Sequence, residues 1–161
     1  MALDKKLLGI YLNDHLAGAT VGVNLAKRAC KANRDNDFGR FLERLHDEIE
    51  EDRATLRELM RSVGVGEDRV KRVVPFFAER AGRLKLNGSL FKYSPLSRLV
   101  ELEALSLGVE GKLCLWVNLA ELPQEGGLED FDLRALADRA RDQRKRLEEQ
   151  RIEAARIAFA E

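Results

Sequence analysis

The chain has 161 residues, 45% of them hydrophobic and 35% charged, with 28 basic residues against 28 acidic ones. That length suits one domain with a real core, residues 1–161 as a single unit, and the balanced charge excludes a globally basic surface for nucleic acid. Only 3 prolines, 6% aromatics and abundant Leu, Ala, Glu and Arg point to an all-α protein. The first residues, MALDKKLLGIYLNDHL, lack the apolar run and cleavage site of a signal peptide. No stretch approaches the ~20 apolar residues of a membrane span. A cytoplasmic protein without a membrane partner is the expectation. Cys30 and Cys114 stand far apart, in no metal-like spacing, and read as free buried thiols.

The spacing predicts a first helix from about Leu3 to Ala32. Its apolar stripe is Leu7, Leu8, Tyr11, His15, Gly18, Gly22, Leu25, Ala26 and Ala29, on a period near 3.6, with Asp14 at one edge. Gly18 and Gly22, four apart, leave a groove where another backbone can approach closely, and each costs up to ~1 kcal/mol of helix stability relative to Ala. A polar turn over Asn33–Asp37 leads into a second helix ending near Ser62. Its stripe is Phe38, Phe41, Leu42, Leu45, Ile49, Asp52, Leu56, Leu59 and Met60, with Asp52 unexpected at its centre. So short a turn predicts antiparallel neighbours.

Val63 to about Tyr93 is a long connection. Glu67–Ala81 reads as a short extra helix, shortened or kinked at Pro75, and Asn87-Gly88 as a turn. Ser94 and Pro95 then supply a cap and a first-turn proline for a third helix running to about Leu122. Its apolar residues fall on nearly every side, the pattern of a helix buried all round. One stripe reads Leu99, Leu102, Glu103, Ser106, Val109, Glu110, Leu113, Val117 and Ala120, placing two carboxylates and a hydroxyl inward. Charges so placed need partners. After a Gly-Gly loop, a fourth helix starts at Asp130 or Asp132. Its inner stripe is Leu133, Leu136, Ala137, Ala140, Gln143, Arg144, Leu147, Arg151, Ala154, Ala155 and Ala158.

Four long helices, short outer loops and a crossover over about 63–93 predict two antiparallel hairpins joined as in ferritin-like bundles. The chain resembles the ferritin-like superfamily in connectivity, helix length and carboxylates inside the bundle. Locally, YLNDHLAGA, NGSLFKYSPLSRLVELEALSLGVEGK and RDQRKRLEEQR are similar to a group of uncharacterised bacterial proteins of this kind. The resemblance implies a metal motif of one Glu on each of two helices and Glu-x-x-His on each of the other two. Glu103 or Glu110 fits the first role. Glu43-x-x-His46 matches in spacing, yet Glu43 lies nearly opposite Leu45 and Ile49, and the fourth helix has no histidine.

The inner polar set is therefore Tyr11, Asp14, His15, Asp52, Glu103, Ser106, Glu110, Gln143, Arg144 and Arg151. The favoured reading is a buried salt-bridge network in which Arg144 stands where a metal would, gripping carboxylates of helices two and three. The alternative is a degenerate site of His15, Asp52, Glu103 and Glu110 holding iron, manganese or zinc, in a metal-dependent oxidoreductase or metal-storage protein. In the crossover, Arg83, Lys85 and Lys92 flank the turn and form a possible patch for a small anionic ligand or an acidic partner. No catalytic set is complete, and no phosphate loop or dinucleotide fingerprint is present. The expected function is non-catalytic binding of a partner protein, a small ligand or a second copy. A homodimer is expected through Gly18, Gly22, Trp116 and the aromatic crossover.

Overall fold

A computed structural model of the chain describes residues 3–68 and 93–160. The described residues are all-helical: α1 (Lys5–Ala32), α2 (Asp37–Ser62), α3 (Pro95–Ala120) and α4 (Leu133–Phe159) form a four-helix bundle. The expected short crossover helix, the Asn87-Gly88 turn and the patch of Arg83, Lys85 and Lys92 lie outside the described residues.

Each helix begins where a side chain can satisfy its free N–H groups. The Asp4 carboxylate accepts from the amides of Lys6 (3.0 Å) and Leu7 (3.1 Å). Asn36 caps α2 through the Gly39 amide, and Asp132 caps α4 through the Ala135 amide at 2.9 Å. At α3, Ser94 and Ser97 exchange side-chain and backbone bonds in a capping box, with Pro95 at the first helical position. The α1–α2 turn is tight enough that a Cβ on Gly39 would lie 2.2 Å from the Asn33 carbonyl oxygen.

The interior divides into two apolar clusters. One gathers Leu12, Leu16, Leu56, Leu59, Met60, Leu113, Trp116, Ala137 and Ala140. The other gathers Val23, Ala26, Leu42, Leu45, Ile49, Leu102, Leu105, Val109 and Leu147. Between them lies a polar layer: Asp52 of α2, Lys112 of α3 and Gln143 of α4. On α1 the corresponding stretch, between Leu16 and Val23, holds Gly18, Ala19 and Gly22.

All nine residues of the α2 stripe are buried. The buried residues of α4, Leu133, Ala137, Ala140, Gln143, Leu147 and Ala154, all lie on its expected stripe, whereas α1 and α3 are rotated from expectation. On α1 the buried line is Leu12, Leu16, Val23, Ala26 and Ala29, while Leu7 is exposed and Tyr11, His15, Gly18 and Gly22 sit on its flank. α3 is not buried all round: Leu107, Cys114 and Asn118 are exposed, and its buried face includes Glu101, Leu102, Leu105, Val109 and Trp116. Cys114 is thus an exposed thiol. Cys30 is half-buried against the Gly39 carbonyl, its thiol pushed up by burial and by Glu43 and Asp47. Among the described residues no helix is long and apolar enough to cross a membrane.

Candidate functional site

The polar layer is centred on Lys112. Its ammonium donates to both the Asp52 carboxylate and the Gln143 amide oxygen. Gln143 closes the ring by donating from Nε2 to Asp52 Oδ2 at 3.0 Å. Asp52 is 4% exposed and Gln143 fully buried, so the three groups satisfy each other away from water. Arg139 adds an approach of its Nε to Asp52 Oδ1 at 3.4 Å from the solvent side, and binds Glu51 at 2.6 Å. Burial pushes the Lys112 ammonium below its ordinary value, against the pull of Asp52.

This arrangement corrects the expected Arg144 network. Arg144 is exposed and pairs with half-exposed Glu110 at 3.0 Å on the outer seam of α3 and α4. Glu103 lies on the same seam, 3.9 Å from Arg151, and Ser106 is half-buried nearby in sequence. The reason is helical geometry. Gln143 and Arg144 are consecutive, hence about 100° apart, and only one of them can face the centre. On α3 the same constraint sends Lys112 inward and Glu110 outward. Asp14 is exposed, beside His15. His15, Asp52, Glu103 and Glu110 are therefore not brought together, and among the described residues no group of three or more His, Cys, Asp or Glu could hold a metal ion. His46 is half-buried against Asp47 at 3.1 Å.

A second buried polar cluster, absent from the sequence reading, ties α1 to the start of α3. Asn33 is 1% exposed and donates to Tyr93 Oη at 2.7 Å, while its Oδ1 accepts from Arg98 Nε at 2.6 Å. Tyr93 donates on to Glu101 at 2.8 Å, and Arg28 grips the other oxygen of Glu101 at 3.0 Å. Burial and the adjacent Glu101 push the Tyr93 phenol far up. Every strong partner here is already engaged, so the cluster reads as a clamp.

The open feature is a cavity of about 390 Å³ between α1, α2 and α3, against the polar layer. Tyr11, His15, Asp52, Arg53, Lys112 and Trp116 line one end, and Leu25, Leu45, Ala104 and Leu105 the other. Four glycines border it: Gly18 and Gly22 on α1, Gly108 and Gly111 on α3. A Cβ built on any of the four would meet nothing within 4 Å. The groove predicted on α1 is therefore real, but no backbone of the described residues closes on it. Tyr11 and His15 meet edge to face, with ring centroids 4.6 Å apart, and Tyr11 Oη accepts from Asn118 at 2.9 Å. Burial holds the His15 imidazole below its ordinary value, with Asp14 opposing, so the neutral ring prevails at pH 7. Trp116, expected on a docking surface, is instead 1% exposed in the cavity wall. The indole signal was legible, because Trp116 lies four residues after Lys112 on one face of α3. Comparison with protein-family models, with curated proteins and with solved structures gives no match for this chain.

Proposed function

We propose that this chain is a non-catalytic, cytoplasmic binding module on a ferritin-like bundle, and that its ligand is an apolar small molecule held between α1 and α3. The ties between helices support the connectivity. Arg28 meets Glu101 while Tyr11 meets Asn118. Glu48 meets Arg146 while Ser62 meets Asp130. Numbers rise on one helix as they fall on its partner, as two antiparallel hairpins linked by a long crossover require.

The observation that carries the binding reading is the glycine-bordered cavity. Each mid-helix glycine costs up to ~1 kcal/mol relative to alanine. None of the four gains close packing among the described residues in return. A volume of about 390 Å³ falls in the range of small-molecule sites, and its walls are largely apolar. The test is titration with diphenylhexatriene, a fully apolar dye that fluoresces out of water. Saturable one-to-one binding to native protein, lost in Gly18→Leu/Gly108→Leu, is the expected result. No saturable binding, or binding that ignores both leucines, overturns the reading.

A second copy of the chain is the other occupant the cleft supports, because Leu107 among its lining residues is 44% exposed. Light scattering across a wide concentration range separates the two: a dimer that Leu107→Glu dissociates favours the second copy.

A further inference from the structure

The cavity is chemically lopsided. At the end formed by Tyr11, His15, Arg53, Lys112 and Trp116, several donors are not fully used. Trp116 is 1% exposed, and its Nε1–H has no hydrogen-bond partner among the described residues. Arg53 has its Nη2 on Glu50, but its buried Nε is likewise without a partner. The Lys112 ammonium has three N–H groups and makes two bonds, to Asp52 and Gln143. An indole N–H can only donate, and so can ammonium and guanidinium groups. Of the two carboxylates lining that end, Asp52 receives Lys112, Gln143 and Arg139, and Asp14 is engaged as well. A buried donor left unmatched is costly, and native interiors leave few of them.

Ten residues along α1, from His15 to Leu25, span about 15 Å at 1.5 Å per residue. Over that length the lining changes from these donors to Leu25, Leu45, Ala104 and Leu105. Resting on the cavity reading above, we propose that the ligand is an elongated apolar molecule with one acceptor-only oxygen group, a carboxylate or carbonyl. That group is seated against Lys112 and the Trp116 indole N–H. The apolar tail lies between the glycines of α1 and α3. A ligand with an ammonium end binds more weakly, because the two carboxylates at that end, Asp14 and Asp52, are already engaged and the Arg53 and Lys112 cations stand beside them.

The experiment uses the whole chain and a set of probes with matched tails: decanoate, decan-2-one and decylammonium, each competing with bound diphenylhexatriene. Decanoate and decan-2-one displace the dye at least about tenfold more tightly than decylammonium, a difference of about 1.4 kcal/mol. Which of the two oxygen probes binds more tightly distinguishes a carboxylate source from a carbonyl source. Trp116→Phe removes the N–H but keeps an aromatic wall. It is expected to weaken decanoate about tenfold more than it weakens the dye. Because Trp116 is the single tryptophan, its emission in the wild type shifts to the red when an acceptor engages the indole. Equal displacement by all three probes overturns this inference while leaving the cavity reading intact. Absence of dye binding overturns the cavity reading itself. Retained decanoate affinity in Trp116→Phe, with no emission shift in the wild type, also overturns the assignment.

Discussion

Replacing Lys112 by methionine keeps an unbranched stem in the polar layer and deletes the charge. Asp52 then loses its ammonium donor and is left, at 4% exposure, with Gln143 Nε2 at 3.0 Å and Arg139 Nε at 3.4 Å. Gln143 Oε1 loses its donor as well. Breaking a buried ion pair typically costs ~3–5 kcal/mol because the remaining charge is stranded. Arg139 still approaches Asp52, so the cost belongs at the lower end, about 3 kcal/mol. Asp52→Leu strands the ammonium instead, and a lysine already pushed down by burial escapes by releasing its proton, so this change is milder. Removing both charges together strands no ion, but it leaves the buried Gln143 amide without its two partners, so only part of the loss returns. The double-mutant cycle therefore yields a coupling of about 1–2 kcal/mol. The control is Arg144→Leu with Glu110→Gln, a half-exposed pair worth ~0–1 kcal/mol. Urea unfolding of the six variants measures both cycles. If Lys112→Met is as mild as Arg144→Leu, the buried layer is not held by charge and the reasoning fails.

Gly18→Ala and Gly108→Ala place a methyl group in open space, so each is expected to raise stability by up to ~1 kcal/mol in urea melts. Gly39→Ala drives its Cβ to 2.2 Å from the Asn33 oxygen and should cost about 1–3 kcal/mol; a neutral result contradicts the tight α1–α2 turn. His15 titrates below its ordinary value in the folded state, so the unfolded chain binds the extra proton first, and the His15 contribution to stability falls as pH drops below about 6.5. His15→Gln flattens that part of the profile, and an unchanged acid slope between wild type and variant refutes the assignment. Asn33→Ala removes the donor to Tyr93 and the acceptor of Arg98 and should cost about 2 kcal/mol, read as a lower urea midpoint.

The legibility of each helix in the sequence followed from how one-sided it is. α2 alternates apolar and charged residues on a clear 3.6 period, so its phase could be read, with Asp52 inside it. α3 is apolar on most sides, so no amphipathic contrast fixes its rotation. A stripe through Glu103 and Glu110 looked as good as the true face through Leu102, Leu105, Val109 and Trp116. That rotation error hid Lys112 and Glu101 and turned a seam pair, Arg144 with Glu110, into an imagined centre. The correct phase had a signal in Trp116, because seating the bulkiest side chain inward carries Lys112, one turn earlier, inward too. The cavity had weaker signs. Gly18 and Gly22 marked the groove on α1, but its second wall, Gly108 and Gly111, becomes opposite only once α1 and α3 are neighbours. Asn33 and Tyr93 are 60 residues apart, and sequence spacing alone carries no information about that bond.

The polar layer and the cavity are one feature seen from two sides. Three helices supply a polar side chain at the boundary between the two apolar clusters, and the three groups satisfy each other. The remaining helix, α1, supplies glycine. Had α1 carried leucine at 18 and 22, the two clusters would join along α1 and the layer would be sealed. That sealed bundle would have higher helix propensity on α1 and a drier Asp52–Lys112 pair, and nothing in the backbone opposes it, since a Cβ at either glycine meets no atom within 4 Å. Lys112 makes sense in the same terms. A buried salt bridge is weak support for stability, because desolvation offsets much of the attraction. A lysine held by Asp52 and Gln143 at the edge of an apolar cavity is nevertheless a fixed cation with one donor left over. Charge, indole N–H and empty volume therefore coincide at the one level of the bundle where α1 withholds a side chain, and a bound molecule with an oxygen end uses all three at once.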